Sequence, residues 1–178
     1  MSISKVDYAF KICVFGESKV GKTTLINYYL TQHFDIDTKP TLGASIHVKS
    51  VIINDKHIKL QIWDFGGEAH FRELLQTYSV GASAGIYMVD LTNIDTVNNI
   101  SEWISIFRHS ASPIVGLKPI LMVGGKKDLE SQRVLTKDDL MKYKGQFEIF
   151  DIIETSSKSG ENVENVFELL IKKIIELY

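Results

Sequence analysis

The 178-residue chain carries 20 basic and 22 acidic side chains for a formal charge of −2, and 44% of its residues are hydrophobic. That length and apolar content suit one domain, residues 1–178, and exclude two of ordinary size, while the near-neutral balance excludes a broad positive field for nucleic acid or anionic lipid. One cysteine, Cys13, excludes a disulfide framework, and within the apolar run FKICVF it reads as a small buried hydrophobe.

The opening MSISKVDYAF lacks an apolar signal core, and no later apolar run approaches the roughly 18 residues of a membrane span. The expectation is a cytoplasmic protein that reaches membranes only peripherally, through partners. The closing KKIIELY has no cysteine to prenylate and residue 2 is Ser2, so no lipid anchor of those kinds is expected.

In chain order, AFKICVF ending at Gly16 predicts a buried strand, because a short apolar run is bounded by glycine. GESKVGKTTL follows, and a helix is expected to start inside it and run through TTLINYYL. The polar, aperiodic TQHFDIDTKPTLG, with Pro40 and Gly43, predicts a loop long enough to suspect function. Ile46, Val48 and Ile52 before Asn54-Asp55, and Ile58, Leu60 and Ile62 after it, alternate with polar residues as in an antiparallel hairpin.

DFGGEAHF breaks that alternation ahead of a helix from Phe71 to Tyr78. AGIYMVDL, PILMVGG and FEIFDIIET predict further strands, the first two apolar enough to be covered on both faces. Val97, Ile100, Ile104 and Phe107 recur at helical spacing, as do Val163, Phe167, Leu170, Ile174 and Leu177. Thr136 with Asp139 predicts a helix start at TKDDLMKY. Strands alternating with helices imply an α/β fold: a mostly parallel six-stranded sheet with one antiparallel edge strand and helices on both faces.

Gly16 and Gly21 frame four residues before Lys22 and Thr23, the G-x-x-x-x-G-K-[ST] phosphate-loop spacing. The glycines let the backbone turn tightly, so amides from Gly16 through Ser18, Lys19, Val20, Gly21, Lys22, Thr23 and Thr24 are expected to embrace a diphosphate at the positive end of a helix. Lys22 would reach the outer phosphates and the Thr23 hydroxyl would hold Mg²⁺. Asp64, ending IKLQIWD, fits the second Mg²⁺-linked acid, acting through water, and the amide of Gly67 could meet a terminal phosphate. The five histidines show no metal-ligand spacing. The loop itself leaves kinases, ATPases and GTPases open, although only three arginines, Arg72, Arg108 and Arg133, disfavour a kinase with an Arg-rich lid.

With DFGG as a D-x-x-G element, the chain resembles the Ras-like small GTPases over nearly its whole length. TLGASI, IWDFGGEAHFR and GASAGIYMVDLTN resemble the Rab type most, as does Ser18, while the doubled glycine is similar to the Arf branch. The resemblance implies a single P-loop GTPase domain binding GTP or GDP with Mg²⁺. It assigns Thr41 to the first-switch threonine that coordinates Mg²⁺ and senses the γ-phosphate, and Phe34 to the aromatic on the guanine edge. GGKKD matches the N-K-x-D element at Lys126 and Asp128, and TSSK matches S-A-K at Ser156, Ser157 and Lys158. Asp128 would accept from guanine in a way adenine cannot satisfy. Effector, exchange and activating proteins would dock through switch loops 35–44 and 65–79, the second including Arg72, with Ile46, Trp63 and Tyr78 as an apolar triad.

Three positions depart from that pattern. Gly125 replaces the base-reading asparagine, which predicts weaker binding and faster release, slowed again by Gly125→Asn. Glu68 replaces the glutamine that orients the attacking water. Either it swings outward and hydrolysis by the set Lys22, Thr41, Gly67 and Glu68 is slow, or its pKa rises and it helps position water as a weak base. Slow hydrolysis is the expectation. Ser157 replaces alanine, with little effect expected.

Overall fold

The computed structural model describes residues 6–111 and 116–177. Ser2 lies outside the described residues. Strand β1, Tyr8–Phe15, is followed by helix α1, Lys22–Thr31, and by the hairpin of β2, Ala44–Ile53, and β3, Lys56–Phe65. Helix α2 spans Arg72–Tyr78, β4 Ala84–Asp90, α3 Ile100–Ala111, β5 Ile120–Gly125, α4 Lys137–Gln146, β6 Asp151–Glu154 and α5 Val163–Ile175. The six strands form one sheet in the order β2-β3-β1-β4-β5-β6. Only the β2–β3 pair is antiparallel, with Ile46 opposite Trp63, and the other pairs are parallel.

The hairpin turn places Asn54 and Asp55 at φ 50° and 60°, the paired left-handed geometry whose twist matches that of the flanking strands. Alternation along β1 divides the core between the two faces of the sheet. Phe10, Ile12 and Val14 pack with Leu25, Ile26 and Tyr29 of α1 and Phe167, Leu170 and Ile174 of α5. Cys13 and Phe15 pack with Leu75 of α2, Trp103 and Phe107 of α3 and Leu140 of α4. Every residue of β4 and β5 is buried, as expected for apolar strands covered on both sides.

Three element boundaries differ from expectation. The strand expected over FEIFDIIET is reduced to Asp151–Glu154. Its first residues instead close α4: the Phe147 amide bonds the Tyr143 carbonyl, Glu148 takes φ 49°, and Arg108 donates to the Phe147 carbonyl at 2.6 Å. Val97 belongs to a short 3₁₀ helix, Ile94–Val97, capped by the Asn93 side chain, and α3 begins only at Ile100. Leu177 lies past α5 and is exposed. Thr136 and Asp139 form the reciprocal capping box at the start of α4. Among the described residues no helix is long and apolar enough to cross a membrane.

Candidate nucleotide-binding site

Parallel strands send their C-terminal ends to one side of the sheet, and the loops there enclose a cavity of about 590 Å³. Of the residues expected at the site, Ser18, Lys19, Val20, Gly21, Lys22, Thr23, Thr24, Phe34, Thr41, Gly67, Glu68, Lys126, Asp128, Ser157 and Lys158 line it. Gly16, Asp64 and Ser156 stand behind that lining. Gly16 needs to be glycine, since it sits at φ 138° and a Cβ would lie 2.4 Å from the Met88 carbonyl oxygen.

The Lys22 ammonium is buried and donates to the carbonyls of Gly16 at 2.9 Å and Glu17 at 2.7 Å. Burial pulls its pKa down to about 8, against the neighbouring carboxylates of Asp64, Glu17 and Glu68. Thr23 from α1 donates to Asp64 Oδ2 at 2.6 Å, Thr41 from the loop 35–44 donates to the same oxygen at 3.0 Å, and the two hydroxyls are 2.7 Å apart. Burial raises the Asp64 carboxyl, and the two hydroxyl bonds and Lys22 draw it back. Asp64 Oδ1 is buried with no hydrogen-bond partner. An all-oxygen set with a spare buried carboxylate oxygen fits a hard divalent cation such as Mg²⁺.

The loop 65–79 leaves β3 through Gly66, whose amide bonds the Gly43 carbonyl at 2.8 Å. A Cβ on Gly67 would lie 2.3 Å from the Ser18 amide nitrogen, so this loop rests directly on the phosphate loop. Glu68 follows, exposed at the cavity, before a 3₁₀ turn at Ala69–Phe71. Trp63 stacks on Tyr78 with ring centroids 5.4 Å apart and faces Ile46 in register, so the apolar triad is assembled, with Ile46 and Tyr78 exposed.

On the opposite side Lys126 leaves β5 at φ 63° and pairs with Asp90 Oδ2 at 2.6 Å. Asp128 Oδ1 accepts from the buried Ser156 hydroxyl at 2.7 Å. Three contributors were missed by sequence reasoning. Glu17 looks like any phosphate-loop residue in sequence, and Met88 looks like any interior strand residue. Asp90 had one available signal: an acid ending an otherwise apolar strand.

Comparison with known proteins agrees with this architecture. The Ras family pattern matches residues 11–176. The Ras-related protein RABA4b of Arabidopsis thaliana is 34% identical over 171 residues, 96% of this chain and 74% of that protein. Ras-related protein Rab-19 of Homo sapiens is 34% identical over 170 residues, 95% of this chain and 76% of that protein. Rab-19 of Rattus norvegicus is 32% identical over 171 residues, 96% of this chain and 77% of that protein. The chain therefore belongs to the Ras family of small GTP-binding proteins and resembles its Rab-type members.

Proposed function

We propose that this protein is a GTP/GDP-cycling molecular switch that hydrolyses GTP slowly. The observation that carries the reading is the meeting of Thr23, Thr41 and Asp64 from three separate elements within 3.0 Å, with the Lys22 charge close to Asp64. Thr23 and Thr41, with Asp64 through water, are the residues to hold Mg²⁺, which when bound neutralises charge on the phosphates. Lys22 exchanges its carbonyl partners for phosphate oxygens. Thr41 and Gly67 clamp the two switch loops while the γ-phosphate is present, and its loss releases them, changing which effector, exchange or activating protein binds loops 35–44 and 65–79. Asp128, held by Ser156, selects guanine, with Phe34, Lys126, Ser157 and Lys158 around the base and ribose. The cellular setting proposed is cytoplasmic, with peripheral attachment to membranes through partners.

Glu68 favours slow turnover. A carboxylate near the γ-phosphate would meet repulsion of about 4 kcal/mol per charge pair at about 4 Å and an effective dielectric near 20, and its exposed position gives it solvent to turn toward. Together Glu68 and Gly125 also support a second reading, a nucleotide-binding interaction module with negligible hydrolysis.

Calorimetry on nucleotide-stripped protein tests the identity: GDP is expected to bind and ADP not, and equal affinity for the two overturns it. Single-turnover GTP hydrolysis, with and without activating proteins, separates a slow switch from an inert module.

A further inference from the structure

The floor between the phosphate loop and the guanine side of the cavity is built differently from the rest of the site. At Gly125 a Cβ would lie 2.6 Å from Met88 Cε and 3.2 Å from the Val20 carbonyl oxygen. The same methyl group would be 3.5 Å from a Cβ on Gly21. Met88 is buried, lines the cavity and reaches from β4 toward both loops, so its terminal methyl fills the volume that a side chain at position 125 would need. Nearby, the Thr155 amide bonds the Gly124 carbonyl at 2.8 Å and the Thr155 carbonyl accepts from Lys127 at 2.9 Å, bracketing Gly125. The Thr155 hydroxyl is buried with no hydrogen-bond partner. A buried hydroxyl left unsatisfied is costly, and its presence beside a strand end lacking a side chain marks a polar contact that this chain does not make.

We propose that Met88 and Gly125 form one unit that sets how long nucleotide stays bound: the Met88 methyl packs the base loop against the phosphate loop in place of a polar side chain at 125. This rests on the guanine-nucleotide reading above. The pair is coupled by volume. Gly125→Asn alone, expected from the sequence to slow release, must also displace the Met88 methyl, the far end of a flexible but buried side chain, so it slows release less than the new hydrogen bond by itself would. Shortening residue 88 makes room, and an amide at 125 then has the Val20 carbonyl and the Thr155 hydroxyl as prospective partners.

The test is a double-variant cycle on release of a fluorescent GDP from the parent, Gly125→Asn, Met88→Val and the combined variant. In the Met88→Val background, Gly125→Asn is expected to slow release by about three- to tenfold, the worth of one hydrogen bond; in the parent background the slowing is smaller, because the Met88 methyl must first be displaced. Equal effects of Gly125→Asn in both backgrounds overturn the coupling. A second cycle needs no nucleotide: Gly125→Ala is expected to lower the melting temperature of stripped protein, and Met88→Val to relieve that loss. Additive melting shifts also overturn the proposal. If the parent shows no preference for GDP over ADP, the guanine reading falls, while the melting cycle still decides whether the two residues are coupled.

Discussion

The Glu17 carboxylate of the phosphate loop is bound by Arg72 at the start of α2, with Arg72 Nη2 3.1 Å from Glu17 Oε1. The same oxygen accepts from Trp103 Nε1 at 2.8 Å and Asn99 Nδ2 at 3.1 Å. Arg72 also pairs with Glu102 and lies over the Trp103 ring at 5.0 Å. The acid next to Gly16 therefore turns away from the phosphate cavity, where its charge would oppose an anion, and ties the loop to α2 and α3.

Removing that tie should cost stability. Arg72→Ala leaves Glu17 with two donors and Glu102 without its cation, and both members of the central pair are mostly shielded, 14% and 20% exposed. Urea denaturation is expected to show a loss of about 1–3 kcal/mol, with Arg72→Lys intermediate. A variant as stable as the parent would mean that the network contributes nothing beyond an exposed ion pair.

Gly67→Ala places a methyl 2.3 Å from the Ser18 nitrogen and 2.4 Å from the Glu17 carbonyl carbon, both backbone atoms that cannot step aside cheaply. The second switch loop must lift. Protease cleavage within 65–79 is expected to be fast and equal with GDP and with a non-hydrolysable GTP analogue, whereas the parent should be protected by the analogue. Retained protection in the variant would contradict the clamp.

Glu68→Gln removes the charge while keeping the length of the side chain. Relief of even a third of the repulsion estimated above amounts to roughly tenfold in rate, so single-turnover hydrolysis should rise by about that factor. No acceleration would count against electrostatic slowing by Glu68.

Cys13 sits buried in the sheet, and burial pushes its thiol from 9.0 to about 12. Between those values the unfolded chain has lost a proton that the folded chain keeps, so this group's contribution to stability falls as pH rises from about 9 toward 12. At pH 8 the native protein should resist thiol alkylation that proceeds fully in urea. Labelling of native protein would show that β1 opens more readily than its packing implies.

Much of the geometry around the cavity was legible because it is written in local spacing. Gly16, Gly21, Lys22 and Thr23 fall within eight consecutive positions between a strand and a helix, and a loop that short has few ways to present its amides. The hairpin, the apolar β4 and β5 and the capping box at Thr136 were equally local, since each follows from a period or a cap within a few residues. The boundaries that moved, at Phe147 and Val97, did so where contacts distant in sequence, such as Arg108 to the Phe147 carbonyl, decide which backbone groups remain for a strand or helix.

By itself, then, the sequence determined the α/β class, the succession of strands and helices along the chain and the phosphate loop, because backbone conformation and hydrophobic period act over neighbouring residues. Only the tertiary structure decided that Thr41 meets Thr23 over Asp64, that Glu17 faces Arg72 rather than phosphate, and that Met88 stands against Gly125. Those are contacts between segments tens of residues apart, fixed by the sheet register and the packing of helices on it, and volume shared across such distances leaves no periodic trace in a single chain.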